Sequence, residues 1–376
     1  MKYIGFYDFP EYIAENRAAG PPARAVCEYM AKLFGRVDNL VVFAPIRTLN
    51  KSGLYKARVQ KLNDNVTVKI PFSFGTRTKI GRVLVAFYTR LWLLFQLLFK
   101  TKSYETVIAY HSMSFIGVIS FAKKIKHLHL IEEIREIYAD INQMSEKSKQ
   151  NEREYFAKAD SYIFATELLN SSINTLNKPY LISPAVYTPE KIVSEKFADG
   201  KIHLVYAGTF RQSKGGVDTA IKIGKFLDSG YHIHILGTGT DERIKELNNL
   251  IAENSGECLI TYDGILYGDD FKTFLQKCHI GLSTQNPEGS YNVSSFPSKI
   301  MTYLANGLDV LSVRIPAVET CPVGSYLYYY DDSNPQNIAD VIKTIDIKQS
   351  INKSDLLKKL DEDLLNSLAN SSDFLG

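Results

Sequence analysis

The sequence predicts an α/β protein of two domains, each a parallel sheet with helices on both faces. Three observations carry that expectation. Apolar, β-favouring runs alternate with helical stretches from the first residues onward. The chain has 376 residues, a length that suits two domains. A polar run from Ser183-Pro184 to Gly200 separates two halves that repeat one order of elements. The expected boundaries are 1–184 and 185–345, with a helical tail over 346–376.

In the first half, strands are expected at Tyr3–Phe6, Leu40–Phe43, Val66–Ile70, Thr106–Tyr110, Leu128–Ile131, Ser161–Ala165 and Tyr180–Ser183. A loop containing Gly20-Pro21-Pro22 leads into a helix over about Ala23–Phe34. Arg47–Asn63 reads as a polar connection, and Glu146–Ala157 as a helix. In the second half, strands are expected at Leu204–Ala207, His232–Leu236, Leu259–Tyr262, Ile280–Ser283, Val310–Val313 and Leu327–Tyr330. The chain is helical from Asn334 onward, and 370–376 are expected to fray.

Composition narrows the function. Hydrophobic residues make up 45% and charged residues 23%, enough to build sizeable cores. The net charge of +3 is too weak for a nucleic-acid binder. Cys27, Cys258, Cys278 and Cys321 are far apart and form no CxxC. That spacing predicts free thiols in a reducing cytoplasm and no zinc site. The opening MKYIGFYDF starts straight into a strand, so no signal peptide is expected.

Residues 65–104 contain no Asp or Glu. Lys69, Arg77, Lys79, Arg82, Arg90, Lys100 and Lys102 are interleaved there with Phe72, Phe74, Phe87, Tyr88, Trp92, Phe95 and Phe99. The apolar part, Val83–Phe99, has Arg90 at its centre and is short for a membrane span. Two compatible readings remain: a helix packed on the sheet through Leu93, Leu94 and Leu97, and a basic aromatic face lying on an anionic membrane.

The most informative stretch is His203–Gly239. An apolar strand ends in Gly208, a loop carries Arg211 and Lys214, and Gly215-Gly216 opens an amphipathic helix. The next strand ends in Gly237-Thr238-Gly239. Glycines and cations at the carboxyl end of a parallel strand predict a phosphate or diphosphate site. His111 follows a buried strand, where it either caps the strand or faces a ligand. Glu132, Glu133 and Glu136 read as a solvated helix start or as an acceptor-binding or basic group. His127, His129, His232 and His234 alternate in strand-like runs, and no acid or thiol stands at ligand spacing in the sequence. No metal is expected at them.

These residues resemble GT-B glycosyltransferases, and glycosyltransferase family 4 above all. The likeness covers most of the chain and is strongest over 203–315. YAGTFRQSKGG is similar to the family's diphosphate-holding segment, with Lys214 at the family's Lys position and Arg211 two residues beyond the usual Arg position. ILGTG, with Gly237, resembles the family's strand ending in Gly-x-Gly. YDGILYG resembles its base-contacting turn, which implies Gly264, Ile265 and Leu266. SSFPSKIMTYLANG resembles the segment whose helix N-terminus lies under the diphosphate, which implies Ser298 and Lys299. Gly307 fits that helix's end. Many members carry two Glu residues here, where this chain has Ser294 and Thr302, and the resemblance places Thr302 at the ribose; Glu288, in the loop after a second-half strand, is a candidate contact for the transferred sugar in place of the missing Glu and, with His111, a candidate catalytic residue. In the first half, Gly20 matches the family's glycine-rich loop and His111 its cleft histidine, and Glu133 of the acidic group is the candidate to face the acceptor.

The resemblance implies two Rossmann-like domains facing each other across a cleft. It implies transfer of a sugar from a nucleoside-diphosphate sugar to a glycan or lipid-linked acceptor in cell-surface polysaccharide synthesis, with retained configuration, no cofactor and no metal. The expected location is the cytoplasm, at the inner face of the plasma membrane. Two alternatives remain: a catalytically silent GT-B partner of an active transferase, and a nucleotide-sugar 2-epimerase.

Overall fold

The computed structural model describes residues 1–8, 22–46, 54–74, 78–141, 144–184, 186–210, 215–288, 292, 295–349 and 351–376. They form two compact units, Met1–Val186 with Asp363–Gly376, and Tyr187–Glu362.

The first unit holds strands β1 (Lys2–Phe6), β2 (Leu40–Ile46), β3 (Leu54–Tyr55), β4 (Arg58–Lys61), β5 (Val66–Ile70), β6 (Ser73–Phe74), β7 (Thr106–Tyr110), β8 (His129–Ile134), β9 (Ser161–Phe164) and β10 (Tyr180–Ile182). Eight of them make one sheet in the order β10-β9-β8-β7-β1-β2-β5-β4. All its pairs are parallel except β4 on β5. The expected strands are present. The polar connection differs from expectation: it contains β3 and β4, and β4 is an edge strand whose residues are mostly exposed, so it lacks the apolar run that marks a buried strand. Strand β8 also runs further than expected, through Glu132 and Glu133.

The helix Lys79–Phe99 packs on this sheet. Thr78 caps it by accepting from the Gly81 N–H at 2.9 Å. Leu93 and Leu97 are fully buried, each contributing about 1.5–3 kcal/mol. Trp92 meets Phe43 edge-on at 6.2 Å. The carboxyl-terminal residues do not fray. The helix Ser372–Leu375 buries Phe374, the Phe374 carbonyl accepts from His129 Nε2 at 2.9 Å, and the Leu375 carbonyl accepts from the Thr106 hydroxyl at 2.7 Å.

The second unit holds β11 (Ile202–Thr209), β12 (Tyr231–Thr238), β13 (Leu259–Gly264), β14 (Ile280–Ser283), β15 (Asp309–Val313) and β16 (Tyr328–Tyr330). They form one wholly parallel sheet in the order β13-β12-β11-β14-β15-β16. Chain order reverses between β11 and β14, the topological switch point of a doubly wound sheet.

Candidate functional site

At that switch point the two central strands part. β11 pairs with β12 from Ile202↔Tyr231 to Thr209↔Thr238, but with β14 only at Leu204↔Ile280 and Val205↔Gly281. The Tyr303 hydroxyl bridges the opening, accepting from the Ala207 N–H at 2.9 Å and lying 3.5 Å from the Leu282 carbonyl. Tyr303 comes from the helix Lys299–Ala305 and is fully buried. That helix ends at Asn306 with Gly307 at φ +78°, the helix end read from the sequence.

The same helix sends Lys299 to the mouth of β11. Its Nζ lies 3.4 Å from the centroid of the buried Tyr206 ring. A Cβ at Gly208 would stand 3.2 Å from that ammonium, so the glycine leaves the cation room beside the strand end. Gly237 lies opposite Gly208 in the pairing, at φ +140°, and a Cβ there would stand 1.8 Å from the Gly208 carbonyl oxygen. Gly264 ends β13, one strand further, next to Leu236. The structure therefore gathers Gly208, Gly237, Gly264 and Lys299 at the carboxyl edge of one sheet.

Ser298 is exposed just before the helix, and Thr302 is half-buried with its Oγ1 3.4 Å from the Ser298 carbonyl. Ile265 is exposed and Leu266 half-buried in the turn after β13. Glu288 is exposed in the loop that follows β14. Arg211, Lys214, Ser294 and Gly20 lie outside the described residues.

Sequence reading missed the supports of this edge. Tyr262 donates its hydroxyl to the Gly237 carbonyl at 3.1 Å, and its ring meets Phe210 edge-on. Arg243 donates to the Phe210 carbonyl at 3.3 Å and grips Asp218 at 2.7 and 2.6 Å. Nothing in the order of residues links Asp218 to Arg243; the fold alone brings them together.

In the first unit, His111 and Glu133 occupy a buried polar cluster at the carboxyl ends of β7 and β8. His111 is 2% exposed. Its Nδ1 lies 3.2 Å from Glu132 and its Nε2 2.7 Å from Glu152, so both ring nitrogens are committed to carboxylates. Tyr155 donates to Glu132 at 2.7 Å, and Glu152 also accepts the N–H groups of Tyr138 and Ala139 at 2.9 Å. Burial alone would lower the imidazole pKa, but the bonds to Glu132 and Glu152 outweigh it and raise it to about 9. Glu133 is wholly buried, paired with Arg135 and accepting from the Tyr3 hydroxyl. Glu132 and Glu133 are thus strand residues in the interior, where the sequence suggested a solvated helix start as one reading. Strand β8 carries them inward because each finds a donor there.

A cavity of about 410 Å³ lies elsewhere in this unit, beside Tyr180, Ser372 and Phe374, and no expected site residue lines it.

No protein-family model matches the chain, and no curated protein matches its sequence. Solved structures match along nearly its whole length. An E. coli trehalose-6-phosphate structure bound with UDP-2-fluoro glucose is 8% identical at a TM-score of 0.66, covering 100% of this chain and 99% of that one. Sucrose-phosphate synthase from Thermosynechococcus elongatus is 12% identical at 0.60, covering 100% and 96%. Anabaena HepE in complex with UDP and glucose is 11% identical at 0.59, covering 98% and 97%. The chain has the GT-B fold.

Proposed function

We propose that the chain is a retaining glycosyltransferase that moves a sugar from a nucleoside-diphosphate sugar to a hydroxyl of a glycan or lipid-linked glycan, in cell-surface polysaccharide synthesis. One observation carries this reading: the Lys299 ammonium is held at the switch point of the second sheet, against Gly208. As the diphosphate leaves, negative charge grows on its oxygens. A cation already fixed beside them stabilises that charge without reorganising. Arg211 and Lys214, from the loop after β11, join it in this proposal, and no metal or cofactor is required. Gly237, Gly264, Ile265, Leu266 and Thr302 hold the nucleoside, and Gly20 and Glu288 face the acceptor or the sugar; Glu133, wholly buried and bonded to Arg135 and Tyr3, faces neither. His111 acts here through its carboxylates, as a positioning residue for the first unit's strand ends.

UDP is the first donor nucleotide to test, because the E. coli and Anabaena structures hold UDP or its sugar. Lys299→Ala is expected to weaken UDP binding by about 1.5–3 kcal/mol, the scale of a hydrogen bond to a charged group. Calorimetry reads this directly, and Lys214→Ala should move the same way. Unchanged affinity in both variants rejects the diphosphate site. A wild type that binds no nucleoside diphosphate at all favours the silent partner, a reading supported by Ser294 and Thr302 standing where the family that the chain resembles carries its Glu pair.

We also propose that the first unit docks on the cytoplasmic face of an anionic membrane. The helix Lys79–Phe99 is long and apolar enough to cross a membrane by length and composition. Two of its turns are nevertheless buried through Leu93 and Leu97, and Arg90 donates to the Ser114 carbonyl at 2.9 Å. Its other face exposes Ile80, Leu84, Phe87, Leu91 and Phe95 in one stripe, and Lys79 and Arg82 are exposed in its first turn. Phe121 and Ile125, exposed on the neighbouring helix Ile116–Lys126, extend the apolar surface. Such a helix lies in the interface rather than across it. Sedimentation with vesicles should rise with anionic lipid, fall with salt, and drop at least about tenfold in Phe87→Glu/Phe95→Glu. Equal binding of wild type and variant removes this surface from the proposal.

A further inference from the structure

We propose that His203, His232 and His234 form a binding site for one divalent ion of the zinc class, at the amino-terminal edge of the second sheet. The alternation of His232 and His234 puts both on one face of β12. Parallel register sets His203 of β11 directly opposite His232. One ligand atom from each of the three lies within 4.8 Å of the others. Neighbouring ligands of a tetrahedral ion bonded at about 2.0–2.1 Å stand roughly 3.3 Å apart, so small rotations of the rings close the set.

The hydrogen bonding of the cluster asks for a cation. His203 Nδ1 faces His234 Nε2 at 2.8 Å. Behind them, His203 Nε2 faces Asp199 Oδ1 at 2.8 Å, and His234 Nδ1 faces Asp263 Oδ2 at 3.1 Å. Two neutral imidazoles own one N–H each, and the carboxylates, stronger acceptors than a ring nitrogen, draw them even though Asp263 Oδ2 also accepts from the Thr261 hydroxyl at 2.9 Å and Asp199 Oδ1 from the Lys201 N–H at 3.1 Å. With both spent there, two lone pairs confront one another between the rings. A metal ion resolves that confrontation. A ligating histidine whose far nitrogen donates to a carboxylate is the usual second layer of a metal site. The third ring follows the pattern: His232 Nε2 is 3.0 Å from the Thr261 hydroxyl.

The surroundings are built and fixed. Phe197 stacks on His203 at 4.3 Å and on His234 at 5.4 Å, and Phe274 meets His234 edge-on at 5.1 Å. His203 and His234 are 1% and 3% exposed, whereas the Asp199 side chain is 48% exposed and leaves the ion a way in. The sequence contains no motif for this site because its carboxylates come from a loop and a third strand. Imidazole ligands suit zinc, nickel, copper and iron; three imidazoles and no sulfur leave the fourth tetrahedral position of such an ion to water. His203 precedes Gly208 by five residues of strand, about 16 Å, so the ion clasps the starts of β11 and β12 and stays clear of the nucleotide edge.

The test is equilibrium dialysis of the chelator-treated full chain against Zn²⁺, with Co²⁺ absorption as a second readout. Wild type should take up one ion per chain and give the visible bands of tetrahedral cobalt. Asp199→Asn should weaken Zn²⁺ binding about 10–100-fold, the usual effect of losing such a partner. His232→Gln, at a half-buried position, should abolish the cobalt bands while circular dichroism stays unchanged. A wild type that takes up neither ion overturns the proposal and leaves a third proton shared by the two rings as the occupant. Wild-type Zn²⁺ affinity in both variants overturns it as well.

Discussion

His111→Gln is expected to cost about 3–5 kcal/mol of stability at pH 7, because it strands two buried carboxylates that the imidazolium now serves. Urea unfolding measures this. The pH dependence gives the sharper contrast. The folded imidazole titrates at about 9 against an ordinary value of 6.5. A group whose pKa is raised on folding stabilises fully below its unfolded value and ceases to do so as pH rises through its folded value. Wild type should therefore lose about 3 kcal/mol between pH 6.5 and pH 10, a loss centred on the alkaline side. The variant should show no such decline. A wild-type profile that is flat over this range would mean that His111 is neutral in the folded chain.

Gly237→Ala carries the second large effect. The new methyl carbon would overlap the Gly208 carbonyl oxygen at 1.8 Å, and φ of +140° already disfavours any side chain. Backbone lines the clash, so no rotamer relieves it, and the ends of β11 and β12 must separate. We expect a cost of about 3 kcal/mol and loss of measurable UDP binding. Gly264→Ala is the control. It also has positive φ, at +77°, but no atom lies within 4 Å of its Cβ, so about 1 kcal/mol is expected. Similar losses in the two variants would show that strain, not the close approach of the two strand ends, governs this edge.

The legible parts of the chain are those where local pattern and tertiary role coincide. Leu204–Ala207 and Ile280–Ser283 are buried on both faces, so continuous apolar runs disclosed them as central parallel strands. Gly307 disclosed a helix end because a left-handed residue is needed there. β4 was hidden because one exposed edge strand reads like a loop. The inward register of Glu132 and Glu133 was hidden because Tyr155, His111 and Tyr3, which bond them, lie far off in sequence, and only Arg135 is local. Lys299 was expected for its backbone N–H; that its ammonium would lie on Tyr206 depends on two elements separated by about half of the second unit's sequence.

The return of the last segment has a consequence for biosynthesis. Asp363–Gly376 belongs to the first unit, yet it is translated after all of Tyr187–Glu362. Domains usually fold in the order in which the ribosome delivers them. Here the earlier unit must wait, with Thr106 and His129 lacking the carbonyls of Leu375 and Phe374, until the later unit has been made. A nascent chain arrested before residue 363 thus presents an unfinished first unit.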